Sequence, residues 1–324
     1  WVVIFGNGYD SPSQCASLVV LDAETGKEVE VIQTNFESPC DCNGLSGVLP
    51  VDVTGDAKVD YVYAGDLRGN LWKFDLTNES SSKWRSRYRD GSNNPQPLFT
   101  AKGPDETKTQ PITITPSIMK HPNGGYPGFM VLFGTGRYLN AGDLDNTDVQ
   151  TIYGVWDYGD ADDEYLGTFD RGDEKELSNQ PDSVSMLEQT QIFYQEVDFP
   201  NEDHTAKLRV LSDNAIIWKV EDDTPATDAP NPADGEDNHA GWYFDLHLAD
   251  TDFKERVIRT GQIRQGKYII ITSIPSTSRC AAGGDSIVNE MNAATGGRLA
   301  TAQLDIDRDA AITAGDLIEI ENPD

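Results

Sequence analysis

The sequence predicts an all-β fold of the β-propeller type, and three observations carry that expectation. Short apolar runs such as Leu18–Leu21 and Gly128–Gly136 are bounded by glycine and proline, which favours strands over helices. Val51–Asp66 sets oxygen-bearing side chains at alternate positions, Asp52, Thr54, Asp56 and Asp60, with the Lys58 carbonyl filling the gap. A hard cation such as Ca²⁺ takes its oxygens from one short loop of this kind. The loop feeds directly into Tyr61–Asp75, two strand-like runs around a Gly-Asn turn. It therefore reads as a calcium clip between blade strands, unlike an EF-hand, whose loop is flanked by helices.

The elements follow in order. Trp1–Thr34 reads as strand pairs, with Leu18–Leu21 and Val29–Ile32 joined by the turn Ala23–Gly26. Leu45–Leu76 is the next unit and holds the acidic loop. Pro97–Asp157 supplies a third, in which Gly128–Gly136 is a buried strand ending on glycines. Residues 160–202 turn acidic and helix-tolerant, Asp182–Gln189 included, and read as an insertion or long connection outside the sheets. Residues 221–238 are rich in Asp, Pro, Ala and Thr and read as a solvated loop. Sheet signal resumes at Gly241–Leu246, Val257–Ile258 and Lys267–Thr272, and a last strand pair is expected around Ser286–Leu299. Four to five blades of one domain are represented, with long loop or helical insertions between them.

Composition sets the bounds. The chain has 324 residues, enough for a substantial core, and its 29 glycines and 17 prolines suit many short strands joined by turns. Against 55 acidic residues stand 25 basic ones, a net charge of −30. Such a surface repels nucleic acid and anionic membranes, keeps the chain soluble, and attracts divalent cations. No apolar run reaches the roughly 18 residues that span a bilayer, and no signal peptide is visible. The chain opens in mid-strand, Trp1–Phe5, without an initiator Met. It reads as an excised fragment whose export information lies upstream.

A second candidate metal loop occupies residues 304–316. Counted from Asp305, oxygen ligands fall at the EF-hand-like positions: Asp305, Asp307, Asp309, the Ala311 carbonyl, Thr313 and Asp316. Both loops depart from the strongest pattern. Ala57 and Ala310 stand where glycine normally eases the sharp turn, Thr54 replaces Asp or Asn, and Asp316 is shorter than the usual Glu. The alternative for each loop is a plain acidic turn, with carboxylates capping backbone amides.

Four cysteines, Cys15, Cys40, Cys42 and Cys280, permit three complete pairings. Cys40 and Cys42 share one loop placed to tether to Cys15 in the preceding blade. Free thiols and a zinc site are the alternatives. Arg171-Gly172-Asp173 spells the tripeptide that many integrins read, a match that an Asp- and Gly-rich chain also produces by accident. The four histidines are scattered, and neither Gly-x-Ser-x-Gly nor His-Glu-x-x-His occurs, so no enzyme is expected.

An ordered set of motifs gives a sharper reading: Phe5–Tyr9, Leu21–Gly26, the first acidic loop, Ala64–Asp75, Phe133–Tyr138, Ile274–Ser276 with Cys280 and Gly283-Gly284, and Asn292–Gly297. Together they resemble the C-terminal β-propeller of the PilC/PilY family, type IV pilus biogenesis factors and tip-associated adhesins. The resemblance spans most of the chain and is weakest over 160–260. It implies a modified propeller of about seven blades in the full domain, with the first blades upstream. It further implies an exported protein at the pilus tip, outer surface or periplasm. There it would work with pilins, minor pilins and the pilus machinery, on a host or abiotic surface. Calcium would support fibre extension, retraction and twitching motility. Two other classes carry related sequence. Integrin-α-type propellers bear Asp-rich loops on successive blades, and quinoprotein dehydrogenases repeat Asp-x-x-Thr-Gly. The tryptophan that follows the latter repeat is replaced here by Glu30 and Ala300.

Overall fold

The structure is a computed structural model that describes residues 1–9, 11–34, 42–157, 171, 175–176, 183–198, 205–218, 238–246, 254–276, 284–305, 310–313 and 316. These form sheets of three, five, six and four strands, with two further two-stranded ladders.

The first sheet joins Val2–Gly6, Ser17–Asp22 and Glu28–Gln33 in sequence order. Its second hairpin closes because Asp22 Oδ1 accepts the amides of Glu24 and Thr25 at 3.2 and 2.7 Å, while Gly26 takes φ +68°. Asn292–Gly297 repeats the device. The Asn292 side chain accepts the Ala294 amide at 2.9 Å and Gly296 takes φ +71°. The two Thr-Gly motifs are thus one turn used twice.

The second sheet contains Leu45–Val51, Tyr61–Asp66, Asn70–Asp75, Phe99–Thr100 and Arg85–Ser86. In the third, Ser117–Lys120, Phe129–Gly134, Thr151–Asp157 and Asn238–Asp245 pair antiparallel, and Ser183–Gln189 adds parallel to Asn238–Asp245. Lys175–Glu176 completes its edge. The fourth sheet centres on Lys267–Pro275, paired with Gly284–Asn292, Gln262–Arg264 and Arg256–Val257. Gln191–Asp198 and Thr205–Leu211 form a separate hairpin.

Four expectations need correction. Ser183–Gln189 and Gln191–Asp198 are strands, so the 160–202 segment does not lie wholly outside the sheets. The helix-tolerant residues of Asp182–Gln189 take the extended form because Val184, Ser185 and Leu187–Gln189 find a strand to pair with, and tertiary pairing overrides weak local propensity. Among the described residues the only helical pieces are two 3₁₀ turns, Ser81–Lys83 and Ala141–Leu144, so no helical insertion is seen there. Phe99–Thr100 closes the edge of the second sheet instead of opening the third. The strand pair expected near Ser286–Leu299 is one strand, Gly284–Asn292, returning along Lys267–Pro275. Of the loop expected at 221–238, only Asn238 lies within the described residues, and it begins a strand.

One apolar core runs through the second, third and fourth sheets and a smaller one lies between the first and second. Trp242, fully buried, bridges the third and fourth sheets. A Cβ on Gly154 would stand 2.4 Å from its ring and one on Gly296 2.3 Å, so both glycines are there to admit the indole. Other joints between sheets are polar. Asn7 accepts the amides of Ser17 and Leu45 at 3.0 and 3.1 Å, which explains the Phe5–Tyr9 motif as a clasp. Arg256 donates to the carbonyls of Arg137 and Asp143 at 2.8 and 2.6 Å and so ties the Phe133–Tyr138 motif to the fourth sheet.

Candidate functional site

Asp52–Asp60 connects two antiparallel strands, and each end is pinned. The Asp60 amide donates to the Val51 carbonyl at 2.9 Å, and its own carbonyl accepts from Leu76 at 2.8 Å. Inside the loop Asp52 Oδ1 accepts the Gly55 amide at 2.6 Å and Oδ2 the Ala57 amide at 2.8 Å. Asp60 Oδ2 accepts the amides of Val53 and Thr54 at 2.8 and 3.0 Å. Thr54 Oγ1 lies 3.4 Å from Asp52 Oδ1. The exposed carboxyl of Asp56 accepts the Lys58 amide, which with the Lys58 charge holds it below the usual carboxylate range. It is therefore ionised at neutral pH.

The turn geometry is the most specific feature. Ala57 takes φ +67° at the sixth position counted from Asp52, the left-handed conformation that calcium loops assign to glycine. The second loop copies it. Ala310, sixth from Asp305, takes φ +70°, and its amide donates to Asp305 Oδ2 at 2.9 Å, as Ala57 does to Asp52. Two segments far apart in sequence share one left-handed residue and one hydrogen bond at the same loop position. Asp305 Oδ1 is buried with no hydrogen-bond partner among the described residues, an orphaned acceptor of the kind a cation satisfies. Asp316 is buried and accepts the Thr313 amide at 2.7 Å. Asp307 and Asp309 lie outside the described residues; Ala311 and Thr313 are exposed.

These residues suit Ca²⁺ in donor chemistry and turn conformation. Among the described residues no three His, Cys, Asp or Glu side chains are gathered in an arrangement that holds a metal ion. The carboxylates are held instead by backbone amides, the pattern of an Asx turn.

The integrin tripeptide is not presented as the sequence suggests. Arg171 is 7% exposed. Its guanidinium makes a two-pronged ion pair with Asp245, with Nη2–Oδ2 at 2.7 Å, and covers the Tyr243 ring at 4.5 Å. That arginine is committed to the fold; Gly172 and Asp173 lie outside the described residues. Cys15 is disulfide-bonded, whereas Cys42 is an exposed free thiol and so drops out of the disulfide candidates. Its left-handed backbone, φ +48°, sets it in the turn that leads into Leu45–Val51. Cys40 and Cys280 lie outside the described residues.

Two buried acids were not singled out from sequence. Asp66 accepts the amides of Arg68 and Asn70 and the side-chain N–H groups of Asn43, Asn70 and Trp72, all within 3.0 Å. Its signal is the Asp-Leu-Arg-Gly-Asn turn itself, since a carboxylate before such a turn can cap it. Asp157 has no local signal, because its hydroxyl partners lie 69 and 94 residues away.

A family model described as the PilY1 beta-propeller domain matches residues 1–194. Over 307 residues, 92% of the chain, the sequence is 31% identical to a type IV pilus biogenesis factor PilY1 homolog of Xylella fastidiosa. Over 326 residues, 96% of the chain, it is 30% identical to the type IV pilus biogenesis factor PilY1 of Pseudomonas aeruginosa PAO1. The chain spans 18% and 26% of the length of these two curated relatives. The crystal structure of the Pseudomonas aeruginosa PilY1 C-terminal domain matches with a TM-score of 0.74 at 26% identity, covering 97% of this chain and 59% of that one.

Proposed function

The chain belongs to the PilY1 β-propeller family, and from that premise we propose that it serves type IV pilus biogenesis as a calcium-binding part of a tip-associated propeller. Its sheets are blades of that propeller. The observation that carries the pilus reading is the family match, joined to relatives described as pilus biogenesis factors. The calcium reading is supported by the paired turns at Ala57 and Ala310, which share a conformation that L-residues rarely adopt.

Asp52, Thr54, Asp56, the Lys58 carbonyl and Asp60 would hold one ion. Asp305, Asp307, Asp309, the Ala311 carbonyl, Thr313 and Asp316 would hold another. A bound cation would neutralise crowded carboxylates and stabilise the folded state by linkage. Because Asp60 is hydrogen-bonded to both Val51 and Leu76, that stabilisation reaches two strands of the second sheet. In the cell the chain would act outside the cytoplasm with pilins, minor pilins and the pilus machinery, supporting fibre extension and retraction, twitching motility and surface attachment. No helix among the described residues is long and apolar enough to cross a membrane. The quinoprotein reading gains no support from relatives described as biogenesis factors.

The test is calorimetric calcium titration of the chain beside Asp56→Ala and Asp309→Ala. Two binding events, each removed by one variant, support the reading; no heat up to about 1 mM calcium, the weak end for extracellular sites, overturns it. The pilus role is checked by deleting the corresponding gene segment and counting surface fibres. Unchanged piliation and motility would sink it.

A further inference from the structure

A cavity of about 450 Å³ opens where the second sheet meets the Ser81–Lys83 turn. Its lining is unusual for a chain of net charge −30, because Lys83, Arg85 and Arg89 face it together. Lys83 ends the 3₁₀ turn, while Arg85 and Arg89 lie in two short strands, Arg85–Ser86 and Tyr88–Arg89, that follow it. Ser86 and Tyr88 of those strands are buried.

Lys83, Arg85 and Arg89 form no ion pair among the described residues. Two nearby acids, Asp75, which lines the cavity with them, and Asp90, accept hydrogen bonds from their own turns. Asp75 Oδ1 accepts the Thr77 amide and hydroxyl at 3.0 and 2.6 Å. Both oxygens of Asp90 are taken by its own turn, through Ser92 and Asn94. Arg89 spends one N–H on the Asn93 carbonyl at 2.7 Å, while its Nε is buried with no partner. Burial and the neighbouring Arg85 charge pull the Arg89 pKa down, the signature of a cation crowded by a like charge. Three cations thus line the cavity against one carboxylate, that of Asp75, whose backbone pairs with Arg85 in the ladder, so the cavity is net positive in an acidic chain.

The rest of the lining narrows the ligand. The Trp84 indole is half-buried and its orientation is set by Nε1 donating to the Asn78 carbonyl at 2.8 Å. Asn78, Ser82 and Asn93 add amide and hydroxyl groups at the rim. A guanidinium fork matches a carboxylate or sulfate, an indole offers an apolar face, and amides suit hydroxyl groups. The volume falls within the range of small-molecule sites, roughly 300–1,000 Å³. A nucleic acid or other long polyanion is disfavoured by the surrounding negative field, so the charge recognised is local and small.

We propose that this cavity is a binding site for an acidic sugar, a pyranose bearing a carboxylate or sulfate, with Arg85 and Arg89 on the oxyanion and Trp84 against the ring. The site is separate from the calcium loops and stands without them.

The test is ligand-observed NMR on the 324-residue chain with four probes: glucuronate, glucose 6-sulfate, glucose and sodium sulfate. Arg85→Gln removes an exposed charge, and Lys27→Gln, an exposed cation in the first sheet's turn, is the control. At least one charged sugar should bind about tenfold more tightly than glucose and than sulfate, and Arg85→Gln should weaken it about tenfold. The melting temperature should stay unchanged, as should binding by the control. Whether glucuronate or glucose 6-sulfate binds better identifies the oxyanion. Sulfate binding as tightly as the charged sugars overturns the sugar assignment. No binding of any probe up to about 10 mM, or binding indifferent to Arg85→Gln, overturns the site.

Discussion

Lys73 and Asp157 form an ion pair between the second and third sheets, Nζ–Oδ2 2.8 Å, with side chains 1% and 0% exposed. Tyr63 and Tyr88 each donate a hydroxyl to the same carboxylate at 2.5 Å, and the Lys73 ammonium lies 4.3 Å from the Tyr61 ring centre. A lone carboxylate at this depth would be costly. Three donors and an aromatic face make it tolerable, and the same contacts lock two blades in one relative position.

Asp157→Asn should therefore cost about 3–5 kcal/mol, because it removes the buried carboxylate that faces the Lys73 ammonium. Tyr88→Phe should cost less, about 1.5–3 kcal/mol, since it removes one hydrogen bond to a charged acceptor. Urea denaturation measures both. Burial and the adjacent Asp157 push the two tyrosine hydroxyls well up, so both remain donors at any pH the fold survives. Equal costs for the two variants would contradict this account.

Ala57 and Ala310 hold left-handed backbone that glycine adopts without steric penalty. Ala57→Gly should stabilise the chain by about 0.5–1 kcal/mol, the relieved strain exceeding the extra freedom gained when unfolded. Calcium affinity should rise with it, because less strain opposes the liganding turn. Calorimetry and thermal melting of Ala57→Gly and Ala310→Gly check each loop separately.

Arg171 illustrates how a short motif misleads. Arg171→Ala should destabilise the third sheet by about 3–5 kcal/mol by stranding Asp245. Attachment to immobilised integrin should not change with Asp173→Glu, because the arginine a receptor would need is held inside. A marked loss of attachment with that conservative change would show that the tripeptide is read after all.

His121 is buried among Tyr126, Trp156 and Trp218, with ring centres 5.0, 4.4 and 4.4 Å away, and its Nε2 has no hydrogen-bond partner. Burial pulls its pKa below the usual value, so the folded protein holds it neutral. Its contribution is fully present above the unfolded value of about 6.5 and is lost as pH falls toward the lower folded value. Denaturant midpoints should drop over that window in the wild type and less in His121→Gln. Tryptophan emission should report the same transition, since two indoles touch the ring.

Much of the fold was legible because its determinants are local. Period-two apolar runs, the Asp22–Gly26 and Asn292–Gly296 turns and the Ala64–Asp75 hairpin each depend on residues within one or two turns of chain. The carboxylate spacing of both acidic loops could be read in the same way, and so could the candidate ligands. What only the tertiary structure decided is which distant segments meet. Ser183–Gln189 has no internal signal for a strand; it becomes one because Asn238–Asp245 offers it an edge. Asp157 finds Lys73, Tyr63 and Tyr88, Arg171 turns inward to Asp245, and Trp242 fills the space left by Gly154 and Gly296. Local patterns encode the strands because backbone conformation and side-chain alternation act over a few residues. Partnership across blades depends on shape and charge matched over long separations, which the spacing along the chain does not record.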